Sequence, residues 1–345
     1  MMVKTPQGFD TGKIGQVNAI VNAFFKKTIS LDNCLCSLDE VVNAPLTCGC
    51  LTTLLAFAGS SFAGSALMFH GSWIDAAVSG ALGLFVGMLF TLASEYPIYG
   101  RIFEISASVM VAIIARALHQ YVCFTSVAVS AILILLPGYG MTLAVMEISA
   151  RHITTGTVRL VYAVVYAFML AYGLQVGSTV YSAINPDAPD EGTCRDPVSP
   201  WFYIPLLPVL SISISMCFGS SKKQWLSQTF CAAIGFSLCY FMSQVIPDAH
   251  IVGSIASFAV SLYSNVALKF LGEAPLAPMC VGITLLVPGS IGVKGAYALL
   301  HQDDVSHSLF PLQMLTIALG LSVGLFAAAM IVYPSGKRYS LYISL

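Results

Sequence analysis

Charge is what this 345-residue sequence has least of: only 9% of its residues are Asp, Glu, Lys or Arg, against 57% hydrophobic. A water-soluble domain of this size could not cover its core with so little polar surface, so the solvent of most of the chain is lipid. The net charge of −1 comes without a basic cluster, which excludes the electrostatic footprint of a nucleic-acid binder. Chemistry-bearing motifs are missing too. There is no G-x-S-x-G elbow, no Walker loop and no H-E-x-x-H helix, so neither an enzyme nor ATP-driven transport is expected, and no cofactor is implied. The start of the chain lacks a short apolar core followed by a small-residue cleavage site, and the expectation is an unprocessed chain.

What the sequence does have is long apolar runs. Spanning a bilayer takes about 20 apolar residues, and about ten such runs follow one another, from Cys48–Phe69 to Pro311–Tyr333. Of the 15 Lys and Arg, Arg116 and Lys294 fall within runs and Arg195 alone lies on the far side. The rest, from Lys4 to Arg338, share one side with the N-terminus, which places both termini in the cytoplasm. Whether the membrane is the plasma membrane or an organellar one is left open.

The loop from residue 185 to 200 carries Asp187, Asp190, Glu191 and Asp196 and divides the chain near its middle. The two sides of it resemble each other. Trp73 and Gly83 recur as Trp225 and Gly235, and Leu135-Leu136-Pro137-Gly138 recurs as Leu286-Val287-Pro288-Gly289, at a nearly constant offset of about 150 residues. The expected architecture is therefore all-α and integral to the membrane: about ten transmembrane helices as two five-helix inverted repeats, residues 46–184 and 201–345, each with a Pro-Gly-broken helix. Five spans is an odd number, so the second repeat enters from the opposite face, a plan recurrent among secondary transporters. Residues 1–45 read as a cytoplasmic amphipathic lead-in, with Ser37 and Glu40 at capping-box spacing ahead of a short helix.

Proline inside a span removes a backbone donor and displaces the carbonyl one turn earlier. A helix that restarts at Pro137 or Pro288 points the N–H groups of Gly138, Tyr139 and Gly140, and of Gly289, Ser290 and Ile291, into the membrane, where they suit an anion such as a carboxylate. Thr142, Tyr139 and Ser290 add hydroxyls. The competing explanation is a structural kink whose freed groups are met by neighbouring helices. Glu147 and Lys294 are candidates for proton coupling or charge pairing, Lys294 lying about 9 Å past Pro288 at helical rise. Asp75, Glu104 and Arg116 sit near run ends, where capping or snorkelling accounts for them; Asp75 is retained beside Glu147 and Lys294 as a coupling candidate. Cysteines in apolar runs, such as Cys217, Cys231, Cys239 and Cys280, read as small hydrophobes, and only Cys194 stands in a long polar loop. The pairs Cys34/Cys36 and Cys48/Cys50 are too narrow for a usual zinc site, so no metal is expected. Glycines at 83 and 87, 173 and 177, and 320 and 324 suit close helix contacts.

Gly71-Ser72-Trp73-Ile74-Asp75, Phe103-Glu104-Ile105-Ser106, Leu136-Pro137-Gly138-Tyr139 through Met146-Glu147-Ile148, Gly156-Thr157-Val158-Arg159 and Leu286-Val287-Pro288-Gly289 together resemble the threonine/serine exporter family, in its fungal-type branch. The resemblance implies a ten-helix, two-repeat secondary transporter that exports small polar amino acids in exchange with protons. It implies as partners a small amino acid, a coupling proton and the lipid bilayer, no nucleic acid, and leaves a homo-oligomer open. Lys294 departs from it, standing where a neutral polar residue is expected. The alternative is a non-transporting membrane protein acting in cell fusion or mating.

Overall fold

The computed structural model describes residues 10–45, 47–185, 194, 196–271, 275–286, 289–300 and 310–333. Among them the regular structure is helical: α1 (Thr11–Phe25), α2 (Leu31–Asn43), α3 (Cys50–Met68), α4 (Trp73–Glu95), α5 (Phe103–Ala117), α6 (Phe124–Ala131), α7 (Gly138–Ser149), α8 (Ile153–Ile184), α9 (Tyr203–Cys217), α10 (Trp225–Ser243), α11 (Ala249–Leu271), α12 (Leu276–Leu286), α13 (Gly289–Leu300) and α14 (Phe310–Val332). Eight stretches of the described residues are long and apolar enough to cross a membrane, and nine if α6 and α7 count as one bent span. The expected third run falls short, because α5 has only 15 residues, about 22 Å at helical rise.

The fourth run breaks as its proline requires. The residue before a proline is pushed out of the helical region, and Leu136 is extended at φ −63°, ψ 129°. The chain turns at Ile132, where Phe124–Ala131 and Leu133–Ser149 meet at 60°, passes through a 3-10 turn at Leu133–Leu135, and α7 restarts after Pro137. In the second half, α12 and α13 flank residues 287–288, which lie outside the described residues, and Leu276–Ala298 counts as a single candidate span. Pro288 itself, and the side chain of Ser290, lie outside the described residues.

Small residues set the helix packing. Lipid offers no hydrophobic drive between helices, so close backbone approach has to supply the contact. A Cβ on Gly177 of α8 would lie 2.4 Å from the Val109 carbonyl oxygen of α5, and one on Gly324 of α14 would lie 2.3 Å from the Ser254 carbonyl oxygen of α11. The same seam thus appears twice, α5 on α8 and α11 on α14. Across the middle, α3 packs on α9, α13 on α8, and α7 on α14. One buried cluster joins Leu67 and Phe69 at the end of α3 with Leu206 of α9 and Val281 and Leu285 of α12.

Two local expectations need correction. Ser37 and Glu40 do not open α2; they lie inside it, and Ser30 is the cap, its Oγ accepting from the Asn33 N–H at 3.4 Å. The helix begins early because α1 already closes in a turn at Lys27, φ 58°; Thr28 bonds back to the Ala23 carbonyl of α1 at 2.6 Å, and Ser30 is the next capping residue. Arg116 does not snorkel to a surface: it is 1% exposed, its Nε donates to Ser178 Oγ at 2.9 Å, and its guanidinium covers the Phe124 ring at 4.6 Å. Its carrier α5 is too short and too enclosed by α6 and α8 to bring it out.

Candidate functional site

The helix restart at Gly138 meets Gly289 of the second half. A Cβ built on Gly289 would lie 3.2 Å from the backbone nitrogen of Gly138, 3.3 Å from its Cα and 3.1 Å from Leu136 Cβ. Glycine at 289 lets α13 come this near the first turn of α7 without pushing its neighbours aside. Gly138 is buried, while a Cβ on Gly140 would meet nothing within 4 Å, so that residue borders open space. The α7 ladder begins with Met141 N–H to the Pro137 carbonyl at 3.0 Å, and the N–H groups of Gly138 and Gly140 belong to the first turn, which precedes that ladder. Thr142 turns its hydroxyl back to the Gly138 carbonyl at 3.3 Å.

Tyr139 reaches out of the first half into the second. Its hydroxyl shares a hydrogen bond with Cys280 Sγ of α12 at 2.9 Å, and its ring meets Phe218 edge-on at 5.5 Å between centroids. Phe218 follows α9 and carries a second load. Its carbonyl accepts from the Thr11 N–H at 2.8 Å, and the next carbonyl, of Gly219, accepts from the Gly12 N–H at 3.1 Å. Thr11 Oγ1 also bonds Ser220 Oγ, which accepts from Gln228 Nε2 at 2.9 Å. The lead-in helix α1 is thereby fastened to the turn that packs on Tyr139.

The charged candidates are not gathered in one place. Glu147, 6% exposed, faces Arg159 of α8 in a two-contact ion pair, Nη2 to Oε1 at 3.0 Å and Nε to Oε2 at 3.3 Å. Asp75, 2% exposed, closes a capping box with Ser72 and accepts the Cys123 N–H at 2.8 Å. Lys294 does not meet Glu147; its ammonium sits over the Phe69 ring, 4.8 Å from the centroid. A cleft of ≈ 210 Å³ between the end of α10 and the start of α11 reaches Leu286 and Ile291, on either side of the second Pro-Gly pair.

Several partners escape a sequence reading. Arg159 stands just before the apolar run that starts at Leu160, yet α8 begins at Ile153 and carries it onto a turn facing Glu147. Cys123 bonds Cys194 in a disulfide; the signal was present, since both residues fall at the Lys/Arg-poor ends of their segments. Nothing in the pattern singled out Phe69, Phe218 or Cys280.

The family model described as "Putative threonine/serine exporter" matches residues 1–181, and the one described as "Threonine/Serine exporter, ThrE" matches residues 204–331. The chain belongs to the threonine/serine exporter family. It is a multi-pass integral membrane protein of a transporter family, and the gap between the two matches falls on the acidic loop. Proteins called "Pheromone-regulated membrane protein 10" are similar along 98% of the chain: 26% identical in Kluyveromyces lactis, and 27% identical in Saccharomyces cerevisiae and in Eremothecium gossypii. The chain covers 38%, 94% and 49% of those three proteins respectively, so it spans less than half of two of them. No solved structure matches the chain.

Proposed function

We propose that this protein is a secondary transporter that exports small polar amino acids of the threonine/serine kind, with proton coupling, between two inversely related halves. The observation that carries the proposal is the meeting of Gly138 and Gly289. Helix starts bear free N–H donors and the positive end of the helix dipole. Glycine allows the two starts to touch when empty and leaves their donors uncovered when they part. Pro137, Gly138, Tyr139, Gly140 and Thr142 from one half, with Pro288, Gly289 and Ser290 from the other, would line the space so opened. The repeated seams α5 on α8 and α11 on α14 support the duplication, and the opposite running of the halves is part of the proposal, with the short α5 counted as the fifth crossing of the first half.

Glu147 is the proposed proton carrier. Protonation would release Arg159, and that side chain is 37% exposed, free enough to swing to water. Orientation has support beyond the Lys/Arg bias. The Cys123–Cys194 disulfide lies on the Lys/Arg-poor side, and disulfides persist in oxidising compartments rather than in the cytosol.

Purified protein in liposomes is expected to move labelled serine or threonine when a pH gradient is imposed. Absence of movement for every amino acid tried sinks the proposal. The relatives' printed name favours one other reading, a membrane factor without transport, and it is separated by bulky substitution at Gly138 and Gly289: cellular activity retained in folded variants would show that the junction is not a passage.

A further inference from the structure

We infer that Lys294 and Phe69 form an outer carboxylate subsite, separate from the two helix starts, that receives the solute on the Lys/Arg-poor side; this rests on the transporter reading above. Lys294 stands on α13 five residues after Gly289, about 7.5 Å along the axis at helical rise. An ionised side chain in a membrane span is costly and ordinarily pairs with a counter-charge. Among the described residues no carboxylate is within ion-pair distance of it. Three acids are buried, Asp75, Glu104 and Glu147, and none reaches it; Glu147 is committed to Arg159, and Asp75 to Ser72 and the Cys123 N–H.

The side chain does not point at lipid. It covers the ring of Phe69, which is 6% exposed and belongs to the cluster that joins α3 to α9 and α12, so Lys294 faces the space between the halves. Its helix neighbours Val293 and Ala296 are fully buried, yet Lys294 itself is exposed. Phe69 lies towards the disulfide-bearing side: two residues after it, the Gly71 carbonyl accepts from Val198 N–H, four residues past Cys194. A lysine is a compact point charge with three donors, suited to a single carboxylate, and the aromatic face holds it in place without neutralising it. The ligand class is a small solute bearing a carboxylate.

The test uses the full chain in lipid nanodiscs and measures equilibrium binding of serine, threonine and lactate, with serinamide and ethanolamine as probes lacking the carboxylate. Lys294→Gln is expected to weaken the carboxylates about tenfold, the scale of one charge-assisted hydrogen bond, and to leave serinamide within about twofold; Lys294→Arg is expected to restore most of the loss. In the wild type, saturating serine is expected to protect Lys294 from an amine-acylating reagent, read by mass spectrometry, a measurement independent of whether a variant folds. Equal carboxylate binding by Lys294→Gln, no carboxylate binding by the wild type, or no protection would each overturn the subsite. Flux across liposomes answers the other question: carboxylate binding at Lys294 without any flux removes the transporter reading and leaves the subsite standing.

Discussion

Arg159 reaches back across a tight turn to grip both oxygens of Glu147, at 3.0 and 3.3 Å, so the end of α7 and the start of α8 are tied by charge as well as by packing. Removing one partner of a buried pair costs about 3–5 kcal/mol, because a charge is left without compensation. Arg159 is partly exposed, and water screens that loss.

Arg159→Met, which strands the buried Glu147 carboxylate, is therefore expected to destabilise by about 1–3 kcal/mol, a discount from the fully buried case. The double variant Glu147→Gln/Arg159→Met is expected to regain part of this. Thermal unfolding in detergent is the measurement. In flux, Glu147→Gln is expected to remove the response to an imposed pH gradient; an unchanged response would assign the coupling elsewhere.

Gly289→Leu puts a branched side chain where a single Cβ already lies 3.1 to 3.3 Å from Leu136 and Gly138. Transport is expected to fall at least about tenfold, equal to about 1.4 kcal/mol at the barrier, while Gly140→Ala, with nothing within 4 Å, stays near wild type in folding. Initial rates normalised to folded protein decide this.

The two glycine seams predict matched failures. Gly177→Leu would drive side-chain atoms into the Val109 carbonyl, and Gly324→Leu into the Ser254 carbonyl. Both are expected to cost at least about 1–3 kcal/mol by overpacking and to lower the yield of monodisperse protein alike. A clear difference, seen by size-exclusion chromatography, would argue that the two halves do not rely on the same seam.

Cys194→Ser frees Cys123 and opens a loop of sequence separation 71. A tie across that many residues stabilises a soluble chain by about 4 kcal/mol, and less here, because the bilayer already confines both ends. A lower midpoint of unfolding is expected. In intact wild-type cells a membrane-impermeant maleimide is expected to label Cys194 only after reduction, and labelling of the other face alone would reverse the orientation.

Much of the fold was legible because lipid simplifies the code: a span must be apolar, and a proline in it must interrupt the ladder. Leu136 is extended for the reason its neighbour Pro137 gives, and the glycine pairs at 173 and 177 and at 320 and 324 lie in seams. Partnership was less legible. Glu147 and Arg159 are separated by a turn whose exit depends on Arg151 at φ 68°, a backbone choice that composition does not announce. Asp75 read as a helix cap and is one, but its second oxygen takes an N–H from Cys123, far along the chain, which only the packing of α4 beside α6 brings near. Ser37 and Glu40 had the right spacing in the wrong place, since spacing alone does not say where the preceding helix stops.

The fastening of Thr11 and Gly12 to the Phe218 and Gly219 carbonyls gives the buried junction an external indicator. Phe218 touches Tyr139, and Tyr139 touches Cys280, so a displacement at the helix restart has a mechanical route to a helix that is not itself a span. A fluorophore or spin label on α1 would then serve as a gauge needle for events at Tyr139, without disturbing any residue inside the bilayer.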